Sequence, residues 1–385
     1  MLSKSSRRQW LKSSLLLAAG AAAAPLSSLA APTRRYRAIR TIEEDLVIPP
    51  MMPELRARLL ANENPFGPSQ SAKDAVMATI ARGNRYPMDE GENLLSMVAA
   101  KEQVPQGQIL LGPGSTQLLD MAALGIVGNG VVLTADPSYL SLIETVEENG
   151  GSSKRIRLTA DHAHDLEAME AAIDDSISMV YICNPNNPTG TITESNALRA
   201  FCSRVSERVP VFVDEAYLDF MPNAMSHSMV DLVREGKNVI VSRTFSKVYG
   251  LAGMRIGYLV AQEATIQPLS LMNHVQWDIS AVSIAAAQAT MQDEAFLADC
   301  IKKNQESKDF LYAMLKEDGY DFLPSSTNFV LFPIRMRTQP FREAMFAQGV
   351  GIRTFDLHRQ PYCRVSMGTM EEMEIFRDAF RKVVG

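Results

Sequence analysis

The sequence predicts an α/β fold, with a doubly wound, largely parallel sheet in a large domain and a smaller α+β domain after it. Short apolar runs recur along the first two thirds of the chain, and helical patterns such as residues 194–208 fall between several of them. This alternation is typical of a parallel sheet covered by helices on both faces. The 385 residues are 46% hydrophobic and 21% charged, which suffices for two domains with a sizeable core. The predicted strands of the sheet cover residues 131–135, 154–158, 178–183, 210–214, 239–243 and 257–261.

The remaining elements follow in chain order. Residues 33–68 form an N-terminal segment that joins the smaller domain, and Ser69 suits the N-cap of a helix that ends near Ala81. The large domain is expected over residues 69–270. From about residue 275, a long helical stretch, several short apolar strands and a closing amphipathic helix predict the smaller domain over residues 275–385.

Residues 1–30 have the pattern of an export signal and not of a fold element. The paired Arg7 and Arg8 precede a short apolar run that ends at Ala24. Small residues around Ala30 then suit cleavage by a signal peptidase. The paired arginines resemble a twin-arginine (Tat) signal, and the apolar run is short for a membrane span. We therefore expect a periplasmic protein with no stable membrane span after signal removal; the alternative is a basic anchor that is never cleaved.

Charge and composition argue against several other classes of protein. The formal charge is −6, and removal of residues 1–30, which hold four basic and no acidic residues, brings it to −10. A chain this acidic is a poor binder of nucleic acid. The four cysteines form no CxxC pair and no disulfide framework, and His162 and His164 share a polar loop without a metal-ligand pattern. We expect neither a metal site nor a nucleic-acid partner.

The segment Arg243–Lys247 places a lysine directly after an apolar strand, beside the hydroxyls of Thr244 and Ser246. Burial disfavours the charged ammonium and lowers its pKa, so such a lysine can attack a carbonyl as a neutral amine. Arg255 follows eight residues later and, with the hydroxyls, suggests a phosphate clamp. An aldehyde-binding lysine beside a phosphate clamp points to pyridoxal phosphate (PLP), although a surface Ser-Lys turn would explain this segment alone.

Two further polar motifs follow neighbouring strands of the predicted sheet. Residues 184–190 form a turn with three asparagines, two prolines and a glycine, and Asp214 directly follows an apolar run. A buried carboxylate is costly in free energy unless it is paired. The alternative to a ligand-binding role is that Asp214 caps a helix or forms a local ion pair. Ligands of open α/β sheets bind at the carboxyl ends of the strands. We therefore expect these motifs and Lys247 to face one crevice.

A glycine and serine turn supplies a candidate anion site upstream. Gly114, Ser115 and Thr116 open a helical run, and free backbone N–H groups at such a position can hold a phosphate, although many helices begin this way without a ligand. Tyr139 follows the strand at 131–135 and places an aromatic ring at the same edge. Tyr139 either packs in the protein core or at the rim of the crevice, or its ring covers a flat ligand.

Together these motifs resemble the class I/II aminotransferases, which are fold-type I PLP enzymes, and are similar to the histidinol-phosphate aminotransferase group in particular. The matching motifs occur in family order over roughly residues 58–380. They are Asn62 to Pro65, Arg85 to Pro87, Gly114 to Thr116, Asn184 to Gly190, Val213 to Tyr217, Arg243 to Lys247, Gly250 to Tyr258 and Arg364 to Ser366.

The resemblance implies a role for each residue at the cofactor ring. Lys247 would bind PLP covalently and then move the proton from the Cα atom of the amino acid. Asp214 would pair with the pyridine nitrogen and keep it protonated, so that the ring withdraws electrons. Asn187 and Tyr217 would hydrogen-bond the ring oxygen O3′, and Tyr139 would stack on the ring face. Lys247, Asp214 and Tyr217 are the expected catalytic residues.

The resemblance also implies how phosphate and substrate are held. Arg364 would bind the substrate carboxylate with help from Asn328. Arg353 is expected near the distal end of the substrate, and Asn64 is also expected to bind the substrate. Tyr86 would reach the phosphate of the neighbouring subunit, which implies a homodimer with shared sites. The phosphate group would be held by Gly114, Ser115, Thr116, Thr244, Ser246 and Arg255.

The expected function is transfer of an amino group from an L-amino acid, or an amine such as histidinol phosphate, to a 2-oxo acid. The sequence leaves the donor and the acceptor open. Two alternatives stay open as well. One is a different PLP reaction on the same scaffold, such as decarboxylation or elimination, and the other is a non-catalytic periplasmic protein that binds PLP or amino acids.

Overall fold

A seven-stranded sheet forms the centre of the chain in the computed structural model, which describes residues 55–272 and 278–385. Its strand order is β2-β8-β7-β6-β5-β3-β4. Four neighbouring pairs are parallel, and β8 runs antiparallel to both β7 and β2. The strands are β2 (Ile109–Gly112), β3 (Val131–Asp136), β4 (Ser152–Arg157), β5 (Ile177–Cys183), β6 (Val211–Asp214), β7 (Val239–Thr244) and β8 (Gly257–Val260).

The predicted α/β class is therefore confirmed, and all six predicted strands lie within two residues of their expected ends. Successive residues of β5 show why an apolar run forms a central strand. Val180 and Ile182 enter the core on one face of the sheet, whereas Tyr181 and Cys183 enter the core on the other. Helices cover both faces, so both sets of side chains are buried.

Helices precede this sheet in the chain, connect its strands and follow its last strand. Ser69 caps α1 as predicted, because its hydroxyl accepts a hydrogen bond from the Ala72 N–H. The helices of this part of the chain are α1 (Gln70–Ile80), α2 (Met88–Glu102), α3 (Ser115–Ala122), α4 (Ser141–Glu148), α5 (Leu166–Ala171), α6 (Ser195–Val205), α7 (Ala224–His227), α8 (Val230–Arg234), α9 (Glu263–Met272) and α10 (Ala281–Met291).

A second core lies in the C-terminal part of the chain. There, β11 (Arg353–Leu357), β12 (Gln360–Ser366) and β9 (Phe329–Pro333) form a three-stranded antiparallel sheet in that order. The helices of this part are α11 (Glu294–Glu317), α12 (Thr338–Ala347) and α13 (Met370–Val384). A capping box at Thr369 begins α13.

The N-terminal segment joins this second core. The short strand β1 (Ala57–Arg58) pairs in parallel with β10 (Val350–Gly351), and Ala57 and Leu59 are buried in the same cluster as Phe376. The domain boundaries given above stay predictions, and the export signal at residues 1–30 lies outside the described residues. Within residues 55–272 and 278–385, no helix has both the length and the apolar character needed to cross a membrane.

Candidate active site

The carboxyl ends of β5, β6 and β7 meet at one edge of the sheet. Cys183 lies beside Asp214 in the register of β5 and β6, and Asp214 lies beside Ser242 in that of β6 and β7. The residues that follow these strands therefore come together, as the sequence predicts. The crevice at this edge is the place where an open parallel sheet binds its ligand.

Lys247 follows β7 and is half-buried in this crevice. Its Nζ donates a hydrogen bond of 3.1 Å to the backbone carbonyl of Asn62 and lies 5.4 Å from the centre of the Tyr217 ring. Burial, with a smaller contribution from the nearby Arg364, lowers the pKa of Lys247 to about 8, against the opposing effects of Glu63 and Asp214. A larger fraction of this amine is therefore neutral at physiological pH than in an ordinary lysine.

Asp214 ends β6 and is 3% exposed. Its carboxylate accepts hydrogen bonds from the Tyr181 hydroxyl at 3.3 Å and from the Ala216 N–H at 3.2 Å. Burial raises the pKa of Asp214 to about 6, although both hydrogen bonds and Lys247 act in the other direction. Within the described part of the chain, no arginine forms an ion pair with it, so this carboxylate is suited to a cationic partner in the crevice.

A compact anion cradle lies beside Lys247. Gly114 has a φ of 89°, and a Cβ atom at this position would clash with the guanidinium of Arg255, so both the backbone angle and the space favour glycine. Arg255 donates to the Ser246 hydroxyl at 3.4 Å, and Thr244 accepts from the Ser246 N–H at 3.1 Å. Ser115 begins α3 without a side-chain cap, which leaves backbone N–H groups for an anion.

Tyr139 lies in the loop after β3, at the same edge. Its hydroxyl is within hydrogen-bonding contact of Thr116 and Ser141, and burial raises its pKa, with the Asp214 carboxylate adding to the effect. Thr116 therefore links the anion cradle to the aromatic ring. The structure therefore brings Thr116 and Tyr139 together at this edge, and their expected contacts with a cofactor stay a prediction.

Arg364 on β12 brings a positive charge to the opposite wall. It is 2% exposed, and it donates to Asn187 Oδ1 at 2.6 Å and to the Leu60 carbonyl at 3.1 Å. Among residues 55–272 and 278–385, its buried Nε has no hydrogen-bond partner. Burial lowers the pKa of Arg364 to about 10, and the neighbouring Arg353 contributes to the decrease. The rings of Phe329 and Phe355 lie 5.2 and 5.4 Å from the guanidinium carbon.

Arg353 and Asn328 complete this wall. Arg353 on β11 is the cross-strand partner of Arg364, so two guanidinium groups enter the same region from neighbouring strands. Asn328 donates to the carbonyls of Asn62 and Glu63, both at 3.1 Å, and its buried Oδ1 has no partner. These buried polar atoms without partners are suited to a polar ligand.

Two of the predicted site residues lie elsewhere. The Asn64 side chain donates to the Val248 carbonyl at 2.8 Å and to the Cys300 sulfur at 3.3 Å, so it fixes the loop and does not face the crevice. Tyr86 is 79% exposed, in a loop before α2. Sequence reasoning also missed Asn62, which contacts both Lys247 and Tyr217. The motif from Asn62 to Pro65 was the available signal, but the sequence does not show whether Asn62 or Asn64 faces the crevice.

The residues of the crevice fit PLP. Lys247 supplies a half-buried amine with a lowered pKa, Asp214 supplies a buried carboxylate in need of a cation, and Gly114 with Arg255 forms an anion cradle. No metal site competes with this interpretation, because residues 55–272 and 278–385 hold no cluster of three or more histidine, cysteine or carboxylate side chains that would bind an ion.

Comparison with known proteins agrees with this geometry. The sequence family "Aminotransferase class I and II" matches residues 58–380. Histidinol-phosphate aminotransferase 1 of Cupriavidus pinatubonensis is 36% identical over 334 residues, which covers 85% of this chain and 88% of that protein. Histidinol-phosphate aminotransferase of Moorella thermoacetica is 34% identical over 330 residues, covering 85% of each.

A solved structure extends the likeness to the whole fold. The crystal structure of histidinol-phosphate aminotransferase from Sinorhizobium meliloti in complex with pyridoxal-5′-phosphate has a TM-score of 0.79 and 28% identity, and the match covers 86% of this chain and 91% of that one. The chain belongs to the class I and II aminotransferases: it is a PLP-dependent enzyme that moves an amino group from an amino compound to a 2-oxo acid.

Proposed function

We propose that the amino donor of this enzyme carries an anionic group that Arg364 and Arg353 bind together, and that histidinol phosphate is the first donor to test. The observation behind the proposal is the pair of cross-strand guanidinium groups, with a buried Nε of Arg364 that lacks a partner. Within the described residues neither arginine forms an ion pair with a carboxylate, so an anion from outside is suited to both.

The relatives favour a phosphate as this anion. Both proteins compared above are named for histidinol phosphate, a donor that carries a phosphate ester and no carboxylate. A phosphate has two negative charges near neutral pH and three acceptor oxygens, so it can accept hydrogen bonds from two arginines at once. An L-amino acid is the second candidate, because Arg364 alone can also bind a single carboxylate. Asn187 and the Leu60 carbonyl accept hydrogen bonds from the Nη atoms of Arg364 and hold its guanidinium in place.

The positions of Lys247, Asp214, Tyr139 and Tyr217 support the roles proposed for them here. When bound, PLP supplies an electron-withdrawing ring that acidifies the Cα–H bond of the donor. Lys247, as a neutral amine, accepts the Cα proton, because its lowered pKa leaves part of the population unprotonated. The buried Asp214 carboxylate would hold the ring nitrogen in its protonated form, and Tyr139 would cover the ring face. The Tyr217 hydroxyl would donate a hydrogen bond to the ring oxygen.

The phosphate of the cofactor would occupy the cradle beside α3. Arg255 supplies the charge, and the Ser115 and Thr116 region supplies backbone N–H groups at a helix N-terminus. Asn187 Oδ1 accepts from Arg364 at 2.6 Å, so the amide nitrogen of Asn187 would be available to donate to the ring oxygen of PLP.

A kinetic panel tests the donor. Histidinol phosphate, histidinol and a set of L-amino acids would be compared at a fixed 2-oxo acid concentration with the wild type and with the Arg364→Lys and Arg353→Ala variants. A charge-assisted hydrogen bond is worth about 1.5–3 kcal/mol, so each variant should raise KM for histidinol phosphate about tenfold or more. Equal use of histidinol and histidinol phosphate would refute the proposal. A raised KM for L-amino acids in Arg364→Lys, with no change in KM in Arg353→Ala and none for histidinol phosphate, would favour the second candidate.

We also propose that the enzyme is a homodimer. Exposed apolar side chains on α1, in the loop before α2 and at the first residue of α2 support this, because apolar side chains left exposed on a folded chain are suited to burial in an interface between copies. Another exposed apolar pair ends α9. These side chains are Met77, Ile80, Tyr86, Met88, Leu271 and Met272.

Export through the twin-arginine route is the third part of the proposal. It rests on the sequence of residues 1–30, with Arg7 and Arg8 before an apolar run and small residues at its end. Fractionation of cells that express the full chain should place the mature protein in the periplasm, with its N-terminus near residue 31. Replacement of both arginines by lysine should retain it in the cytoplasm. Retention of the wild type there would contradict export.

A further inference from the structure

Asn62 is buried, at 2% exposure, and has a left-handed backbone with a φ of 53°. Asparagine tolerates this region better than most residues, but the conformation still needs support from its surroundings. The support comes from Ser366 on β12. The Asn62 N–H donates to the Ser366 hydroxyl at 2.8 Å, and that hydroxyl donates to Asn62 Oδ1, also at 2.8 Å.

This pair of bonds fixes the orientation of the Asn62 amide. The Ser366 oxygen accepts from the backbone N–H, and within the described residues the acceptor for its own proton is the Asn62 side chain, so the amide oxygen is the atom that faces Ser366. The amide nitrogen therefore faces the other way. There it lies 3.0 Å from the hydroxyl oxygen of Tyr217.

The orientation of the amide decides what the Tyr217 hydroxyl does. An amide nitrogen only donates, so the Tyr217 oxygen accepts this bond and its single proton must point elsewhere. The edge of the Tyr217 ring contacts Phe329, with ring centres 5.1 Å apart, and the Lys247 Nζ lies over its face. The hydroxyl proton is thereby left available for an acceptor in the crevice.

The backbone carbonyl of Asn62 also accepts hydrogen bonds in the crevice. It accepts hydrogen bonds from Lys247 Nζ and from Asn328 Nδ2, both at 3.1 Å. One residue of the N-terminal segment thus contacts the lysine after β7, the tyrosine after β6 and the serine two residues from Arg364 on β12. The side chain and the carbonyl act on different partners, so substitution of the side chain can separate them.

We propose that the side chain of Asn62 is a positioning element for catalysis, which directs the Tyr217 hydroxyl proton towards the bound cofactor by donating to the Tyr217 oxygen while Ser366 locks the amide. The role rests on the function proposed for Tyr217 and is independent of the donor that the enzyme uses. It assigns to Asn62 the position in the crevice that the sequence analysis gives to Asn64.

The test variant is Asn62→Gly, which suits a φ of 53° and keeps the backbone N–H and carbonyl, so that only the two side-chain bonds are lost. The matched control is Asn223→Gly, because Asn223 has a φ of 52°, is exposed and makes no side-chain cap. The first readout is the pH midpoint of the visible absorbance of bound PLP, without any donor. The second is kcat.

In Asn62→Gly the midpoint should move upward by about half a unit or more, because a hydroxyl that is no longer directed at the cofactor stabilises less negative charge there. The value of kcat should fall about tenfold with little change in KM. Asn223→Gly should change neither quantity. Asn62→Asp, which keeps an oxygen for Ser366 but accepts the Tyr217 proton, should move the midpoint at least as far, and it serves if the glycine variant does not bind PLP.

Tyr217→Phe separates the two claims. If Asn62 acts through the Tyr217 hydroxyl, adding Asn62→Gly to Tyr217→Phe should produce no further shift of the midpoint, whereas independent effects would add. A midpoint that moves in Tyr217→Phe but not in Asn62→Gly, or additive shifts in the double variant, would overturn the role of Asn62. An unmoved midpoint in Tyr217→Phe would overturn the function of Tyr217 itself.

Discussion

The Lys247 amine lies among charges of both signs. Arg364 and Arg255 favour its neutral form, whereas Glu63 and Asp214 favour its protonated form, and burial decides the balance towards a lowered pKa. The single hydrogen bond to the Asn62 carbonyl holds the amine without supplying a counter-charge. A neutral fraction that is useful near pH 7 follows from this arrangement.

The pH dependence of cofactor loading checks this environment. Below the pKa of about 8, the neutral fraction of Lys247 rises with pH, so the rate at which PLP-free protein gains covalently bound PLP should increase about tenfold per pH unit. Above pH 8 the amine is already neutral and the rate should level off. Stopped-flow absorbance would measure it, and a rate that keeps rising to pH 10 would mean that the lysine pKa is not lowered.

Asp214→Asn tests the buried carboxylate at the end of β6. The amide keeps the shape but not the negative charge that stabilises a protonated ring nitrogen, so turnover should fall about 100-fold or more while PLP stays bound. The exposed Asp174 offers a control, since Asp174→Asn should leave turnover unchanged. Proton removal at normal speed, measured with a donor deuterated at Cα, would exclude Asp214 from the mechanism.

The sequence identifies the residue types of this site better than their orientation. Lys247 and Asp214 each follow an apolar strand, a pattern visible in the sequence, and the structure places both in the crevice. Asn62 and Asn64 lie two residues apart in one motif and have opposite environments. A left-handed φ at Asn62 separates them, and a φ angle of a non-glycine residue leaves no mark in a single sequence.

At the scale of the elements, a buried ionic cluster supports the loop that carries Asp214 and Tyr217. Arg243 on β7 is 1% exposed, and its guanidinium lies 3.0 Å from Glu215 and 3.3 Å from Asp219. These two carboxylates stand on either side of Tyr217 in the chain. Lys101, at the end of α2, lies 3.7 Å from Asp219 and thus connects that helix to the same loop.

Arg243→Gln should strongly destabilise the protein, because it leaves the buried Glu215 without its cation and removes one of the two cations beside the half-buried Asp219. Loss of one partner of a buried ion pair costs about 3–5 kcal/mol in the free energy of unfolding. Arg243→Lys keeps the charge and should cost less. Urea denaturation would measure both, with Arg204→Gln as an exposed control that should cause no measurable change. Equal stability of Arg243→Gln and the control would contradict a structural role for the cluster.

The strands are predictable to the extent that they are apolar on both faces. The strands β6 and β7 are buried throughout, β5 is buried at every position except Ser178, and each contains a run of apolar residues that alternates between the two faces. The sequence analysis missed β2, which is four residues long, and the antiparallel direction of β8. Strand direction depends on the path of the connecting chain, and a local apolar pattern does not contain that information.

At the scale of the molecule, an exposed Tyr86 far from Lys247 in the chain fits a site shared between two copies. Mixing Tyr86→Ala with Lys247→Ala tests this, because a mixed dimer has one site with both native side chains. If subunits exchange freely, half of the dimers are mixed, and the 1:1 mixture should regain about a quarter of wild-type activity. Each variant alone should be much less active. No recovery after verified exchange would show that Tyr86 serves its own subunit or none.

The covalent attachment of PLP to Lys247 is the claim on which the catalytic account depends. Sodium borohydride converts the bond between PLP and a lysine amine into a stable secondary amine, so that peptide mass mapping can locate it. The added mass should appear on the peptide that contains Lys247 and should be absent from every peptide of Lys247→Ala. A tag on another buried lysine, such as Lys101 or Lys308, or no tag on the yellow holoenzyme, would contradict the account.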